Sequence, residues 1–151
     1  MRKNSDRHTS AGKIFRCTSL PLSGHRYGDI MPQARRLFRE IQKKTKRRPY
    51  IRSAYFRKDK IFFDYFWVHM NQKSAIDRAR RLRYLPCALE LMKESRNAPK
   101  TFVKITEPGI IHDQFIGIAG DGSAFSVVIK QERATGKKYL LSIFPLDAKS
   151  C

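Results

Sequence analysis

An α+β fold is what the sequence predicts, with basic N-terminal helices packed on one face of a C-terminal antiparallel β-meander of three to four strands. Three observations lead there. Apolar residues recur at helical spacing through the middle of the chain, they change to alternation in its last third, and short Gly-containing turns separate the alternating runs. Helices first and sheet last favours an α+β layer over a βαβ repeat. The chain has 151 residues, of which 41% are hydrophobic, enough for one domain with its own core.

Residues 1–28 mix Ser, Thr, Gly and basic residues without a sustained period. This segment reads as a flexible basic arm, followed by a single domain over 29–151. The first helix is expected from Asp29, with Asp29 as cap and Pro32 in the opening turn. Ile30, Ala34, Leu37, Phe38 and Ile41 form its apolar stripe, and Pro49 ends it. Tyr50 to Phe56 has strand composition. The aromatic run after Lys60 flows without Gly or Pro into Val68-His69-Met70, and Phe62, Phe66, His69 and Met70 share a helical face. A helix from about Phe62 is therefore expected, its rings serving as core more than as a stacking platform for bases.

Ser74 with Asp77 three residues later resembles a capping box for a helix carrying Arg78, Arg80, Arg81 and Arg83. Leu85, Ala88, Leu89 and Met92 continue as a core helix with Pro86 in its first turn. Asn97 to Lys100 is a connector. Strands are expected over Gln114–Ala119, Ser123–Glu132 and Lys137–Phe144, joined at Gly120-Asp121-Gly122 and Arg133-Ala134-Thr135-Gly136. By alternation, Phe125, Val127 and Ile129 face the helices, as do Tyr139, Leu141 and Ile143. Ser126, Lys130, Lys138 and Ser142 then share the other, more polar face.

Charge points to the partner. Lys and Arg number 32 against 13 Asp and Glu, a formal charge of +19, which implies a polyanion, with nucleic acid foremost. The excess is uneven: +11 over residues 1–48, +7 over 49–100 and +1 over 101–151. Arginine forks suit phosphate, so Arg35, Arg36, Arg47, Arg48, Arg52, Arg78, Arg80, Arg81 and Arg83 are the candidate nucleic-acid contacts. No apolar run suits a membrane span and no apolar core follows the basic N-terminal residues as in a secretion signal. Cys17, Cys87 and Cys151 are scattered and read as cytoplasmic thiols. Phosphate-binding loops, dinucleotide fingerprints and zinc spacings are absent from the sequence, so neither a cofactor nor a metal is expected.

The order of basic helices followed by FIGIAGDGSAFSVVIKQERATGKKYLLSIFP resembles the barnase, EndoU, colicin-tRNase and RelE-like group of small RNases, in its phage and mobile-element branches. The resemblance spans roughly Ile30 to Phe144. It implies a toxin-like or mobile-element endoribonuclease that cleaves RNA without metal. Its partners would be tRNA, mRNA or ribosome-bound RNA, with an acidic inhibitor protein as a further candidate. No fixed signature transfers, so the site residues rest on chemistry and expected facing. Cleavage through the 2′-hydroxyl needs a base, an acid and cations for the phosphorane. His112 is the first acid or base candidate and His69 the second, while His8 and His25 lie in the arm. Lys130 and Lys138 are candidates for charge stabilisation and Ser142 for a hydrogen bond. A noncatalytic RNA- or DNA-binding protein is the alternative on the same residues.

Overall fold

The computed structural model describes residues 13–146. Along them run β1 (Ile14–Arg16), α1 (Tyr27–Lys44), β2 (Tyr50–Arg52), β3 (Lys60–Phe62), α2 (Asp64–Asn71), α3 (Ala75–Leu82), α4 (Leu85–Glu94), β4 (Lys100–Lys104), β5 (Glu107–Ile118), β6 (Ala124–Glu132) and β7 (Lys138–Pro145). The strands form one sheet in the order β1-β5-β6-β7-β3-β2, with β4 paired to β5. β1 and β4 divide one edge of β5: Ile14 pairs with Ile116, and Lys100 with Gln114.

This architecture corrects the expected meander of three to four antiparallel strands behind N-terminal helices. The sheet has seven strands among the described residues, it is mixed, and its helices are interspersed with strands. The β5-β6-β7 meander is present as its centre. Added to it are β1, parallel to β5, and β3, parallel to β7, with β2 outside β3. A three-residue strand is too short to show alternation, and a parallel partner lies far off in sequence, so no local pattern announces either addition. Of the segment expected as an arm, residues 13–28 contain β1 and the first residues of α1, and residues 1–12 lie outside the described residues.

Local chemistry accounts for the helices. Asp29 lies in the first turn of α1, where its Oδ2 accepts from the Arg26 backbone at 3.4 Å. Ser74 Oγ accepts from the Asp77 backbone N–H at 3.2 Å and caps α3. α2 starts at Asp64, after β3, so the aromatic run supplies both a strand and a helix. One face of the central strands (Phe125, Val127, Ile129, Leu140 and Ile143) is buried. It joins a core that includes Ile30 and Ala34 of α1 and Leu85 and Leu91 of α4. Gly117 lets that packing close: a Cβ there would lie 2.5 Å from the Phe125 ring and 2.9 Å from Leu91. No helix among the described residues is long and apolar enough to cross a membrane.

One irregularity decides which side chains share a face. Val128 pairs with Ser142 but Ile129 pairs with Leu140, so Leu141 is an extra residue in β7. Such a bulge reverses the parity on its two sides. Leu140 and Ile143 consequently both face the core, at 0% exposure. Tyr139 is carried to the opposite face, where it pairs with Lys130. This corrects the expected facing of Tyr139, Leu141 and Lys138.

Candidate active site

The face away from α1 and α4 carries a continuous row of side chains. Strand register puts Phe102 opposite His112, His112 opposite Lys130, Lys130 opposite Tyr139, Tyr139 opposite Phe62 and Phe62 opposite Tyr50. The row thus crosses β4, β5, β6, β7, β3 and β2. Directly opposed residues on paired strands lie within side-chain contact, and the rings bear this out. Phe102 stacks on His112 with centroids 5.0 Å apart and planes 8° apart, and Phe62 meets Tyr139 at 5.9 Å and Tyr50 at 6.0 Å.

α2 adds to the row from the β7 side. Tyr65 lies edge-on to Tyr139 at 4.7 Å, and Lys130 Nζ sits 4.6 Å from the centre of the Tyr65 ring. Arg48 stands over Phe62 at 4.2 Å and pairs with Asp64 at 2.7 Å. His69, one turn beyond Tyr65, is half-buried. Below Tyr139 on the same face, Ser142 Oγ accepts from Arg81 Nη1 at 3.1 Å. Gln114 donates to Ser126 Oγ at 3.1 Å.

Both histidines are biased toward the neutral form. Burial lowers the pKa of His112, and Lys104 and Lys130 push the same way against Glu107 and Asp113. Burial also lowers that of His69, reinforced by Lys73, Arg81 and Lys104. Lys104, at the start of the β4–β5 turn, therefore acts on both rings. His112 is only 2% exposed; its Nδ1 is buried without a partner and its Nε2 lies 4.0 Å from Glu107 Oε1. A neutral imidazole with an unused ring nitrogen can take up a proton once a hydroxyl reaches it.

Lys138 is not part of this group. The β7 bulge leaves it on the core-facing side, 7% exposed, with Nζ donating to Asp59 Oδ2 at 2.9 Å and to the Gly136 carbonyl at 3.0 Å. Near it, burial raises the pKa of Asp113, whose Oδ1 accepts from Thr101 Oγ1 at 2.7 Å. Lys138 thus secures the β7 end to the β2–β3 turn. The row brings together His112 and Lys130, with Ser142 and His69 beside it.

The arginines separate into two groups. Arg35, Arg36, Arg47 and Arg52 are exposed, and Arg48 borders the row. Those of α3 and of its C-cap, Arg83, are tied in different directions. Arg78 stands over the Tyr27 ring at 5.0 Å, Arg80 and Arg81 pair with Asp77 at 3.0 and 3.1 Å, and Arg83 donates to the Leu22 carbonyl at 3.4 Å. They do not form one free stripe. Cys17 and Cys87 are buried, each with its pKa pushed up to about 12 by burial, and so are unreactive thiols. His25 is exposed before α1, while His8 and Cys151 fall outside the described residues.

Sequence reasoning missed Tyr139, Tyr65 and Phe102 as members of the site. The pairing of Lys130 with a residue of β7 was legible in outline, but the bulge that selects Tyr139 left no mark that simple alternation could read. Comparisons with models of protein families, with curated proteins and with solved structures find no match to this chain.

Proposed function

We propose that this protein is an endoribonuclease, cleaving RNA through the 2′-hydroxyl with side chains alone. The observation that supports this best is the row in which a neutral-biased histidine pairs with a lysine and that lysine with a tyrosine. In this reading His112, with His69 as the other candidate, takes the proton of the 2′-hydroxyl. The 2′-oxygen then attacks the adjacent phosphorus. Lys130 stabilises the charge on the phosphorane oxygens. The bond from phosphorus to the 5′-oxygen breaks, that oxygen is protonated by Tyr139, Tyr65 or the second histidine, and a 2′,3′-cyclic phosphate and a 5′-hydroxyl result.

Because His112 is almost fully buried, with Phe102 stacked on one face of its ring, the chemistry requires this cover to open when RNA arrives. That same cover favours a second reading, a protein that binds RNA or DNA without cleaving it. Incubation of the purified protein with total RNA in EDTA, followed by mapping of new ends, separates the two. New 2′,3′-cyclic phosphate ends support the nuclease. Intact RNA held in a salt-sensitive complex would overturn it and leave the binding protein.

A further inference from the structure

The turn between β2 and β3 holds cations that the proposed chemistry does not use. Arg57 and Lys58 have φ of 57° and 71°, in the left-handed region where side chains other than Gly, Asn and Asp are strained. Backbone bonds impose this shape. Arg57 N donates to the Ala54 carbonyl at 3.2 Å and Lys58 N to the Ser53 carbonyl at 2.6 Å. The Oγ of buried Ser53 also accepts from the Phe56 N–H at 3.1 Å. Positions that favour glycine thus carry two long cationic side chains.

These two line a concavity together with Arg52, Lys93 of α4 and Arg96, and no carboxylate lines it. None of the five takes part in an ion pair among the described residues. Asp59, next in the turn, is committed to Lys138. Arg52 is held at the rim, its Nη1 donating to the Lys58 carbonyl at 3.0 Å. Unanswered like charges in one hollow repel each other, and an anion relieves that repulsion.

The row ends at the edge strand β2, whose Arg52 also lines the hollow on the α4 side of that edge. From Tyr139 the row crosses Phe62 to Tyr50, two strand spacings or about 10 Å, and Arg52 follows two residues along β2, about 7 Å further. Cations attend the rings on this path: Arg48 over Phe62 at 4.2 Å, and Lys60 and Arg52 over Tyr50 at 4.6 and 5.5 Å. Rings interleaved with cations suit a single strand, whose bases are free to stack while its phosphates are neutralised.

We propose that the hollow formed by Arg52, Arg57, Lys58, Lys93 and Arg96 binds backbone phosphates of a single-stranded RNA that runs from the His112–Lys130–Tyr139 row across Phe62 and Tyr50. This deepens the nuclease reading and rests on it for the position of the scissile phosphate. The preferred substrate is then an extended single strand, and very short RNAs bind without engaging the hollow.

Fully 2′-O-methylated oligouridines, which lack the attacking hydroxyl, serve as probes in fluorescence anisotropy across a salt series. Replacing Arg57, Lys58 and Arg96 together by Gln should weaken binding of a dodecanucleotide about tenfold or more. It should also lower the slope of log affinity against log salt by about 2, at roughly 0.7 per neutralised contact. Trinucleotide binding should not change. Lys58→Gly gives an independent check, raising the melting temperature by relieving the left-handed strain while weakening dodecanucleotide binding. An unchanged dodecanucleotide affinity and slope in the triple variant overturns the hollow, while cleavage of unmodified RNA by that variant leaves the nuclease reading standing. A hollow-dependent dodecanucleotide complex with no cleavage by the wild type keeps the phosphate path and removes the chemistry. Failure of the wild type to bind either probe overturns both.

Discussion

The two faces of the central strands carry one lysine each, and the two lysines are placed in opposite ways. Lys138, on the core side, is answered by Asp59 and a backbone carbonyl, and it closes the end of the sheet. Lys130, on the other side, has no ion pair among the described residues and rests against the ring of Tyr65. Gln131, the neighbour of Lys130, is paired with Lys138, so proximity does not distinguish them. What does is whether the surrounding groups already satisfy the charge. A satisfied cation is architecture; an unsatisfied one beside a neutral-biased histidine is available to a ligand.

The largest test of this contrast lies in the core. Leu140→Ala should cost about 2 to 5 kcal/mol in denaturant unfolding, and Leu141→Ala less than half as much, because the bulge buries the first and half-exposes the second. The reverse order would mean that the bulge is misplaced and the two faces are exchanged. Next come the chemical groups. His112→Ala and Lys130→Ala should each lower the cleavage rate by about 10² or more, as for loss of an acid–base group or of charge stabilisation. Lys138→Ala should leave turnover per folded molecule unchanged and cost about 1.5 to 3 kcal/mol of stability, the range for a bond to a charged group. A rate loss in Lys138→Ala equal to that in Lys130→Ala would erase the distinction between the faces.

Acid should show the same contrast more gently. His112 and His69 have pKa values lowered in the folded protein by burial and nearby cations, so the unfolded chain takes up their protons first. Stability from these groups is complete above the unfolded value of about 6.5 and is lost as pH falls through the folded values. Urea unfolding followed downward from neutral pH should therefore show a declining limb that is shallower in His112→Gln. The pH–rate profile of cleavage should fall on the same side, with its midpoint under about 6.5. The smallest effect is expected for Ser142→Ala, which removes one acceptor of Arg81 and should cost less than about 1 kcal/mol.

The parts of the fold that were legible are those whose signals are local. The stripe of Ile30, Ala34 and Ile41, the capping Ser74, Pro86 in its first turn and the turns at Gly122 and Gly136 lie where the sequence puts them, both glycines with positive φ. β4 escaped because Lys-Thr-Phe-Val-Lys is short and largely exposed, leaving no apolar alternation to detect. β1 and β3 escaped because their partners are distant. For the candidate site, chemistry singles out His112, Lys130 and His69, and strand register sets the first two opposite each other. Simple alternation puts Lys138 on the polar face; one extra residue in β7 inverts that period, moving Lys138 to the core side and Tyr139 into the row. The left-handed Arg57 and Lys58 were also out of reach, since a polar interruption between two strand-like runs does not reveal its dihedral angles.

The parallel pairs also set the order in which the molecule can come into being. Ile14 joins Ile116, and Phe62 joins Tyr139, so both closures wait for strands that follow much later in the chain. Contacts so distant in sequence make for slow final assembly. On a ribosome adding about 5 to 20 residues per second, the helices and the β2–β3 hairpin emerge well before β6 and β7. Lys130 and Tyr139 cannot meet Tyr65 and Phe62 until those strands are out. A nascent chain of this kind would expose its basic surface before its proposed cutting row is complete.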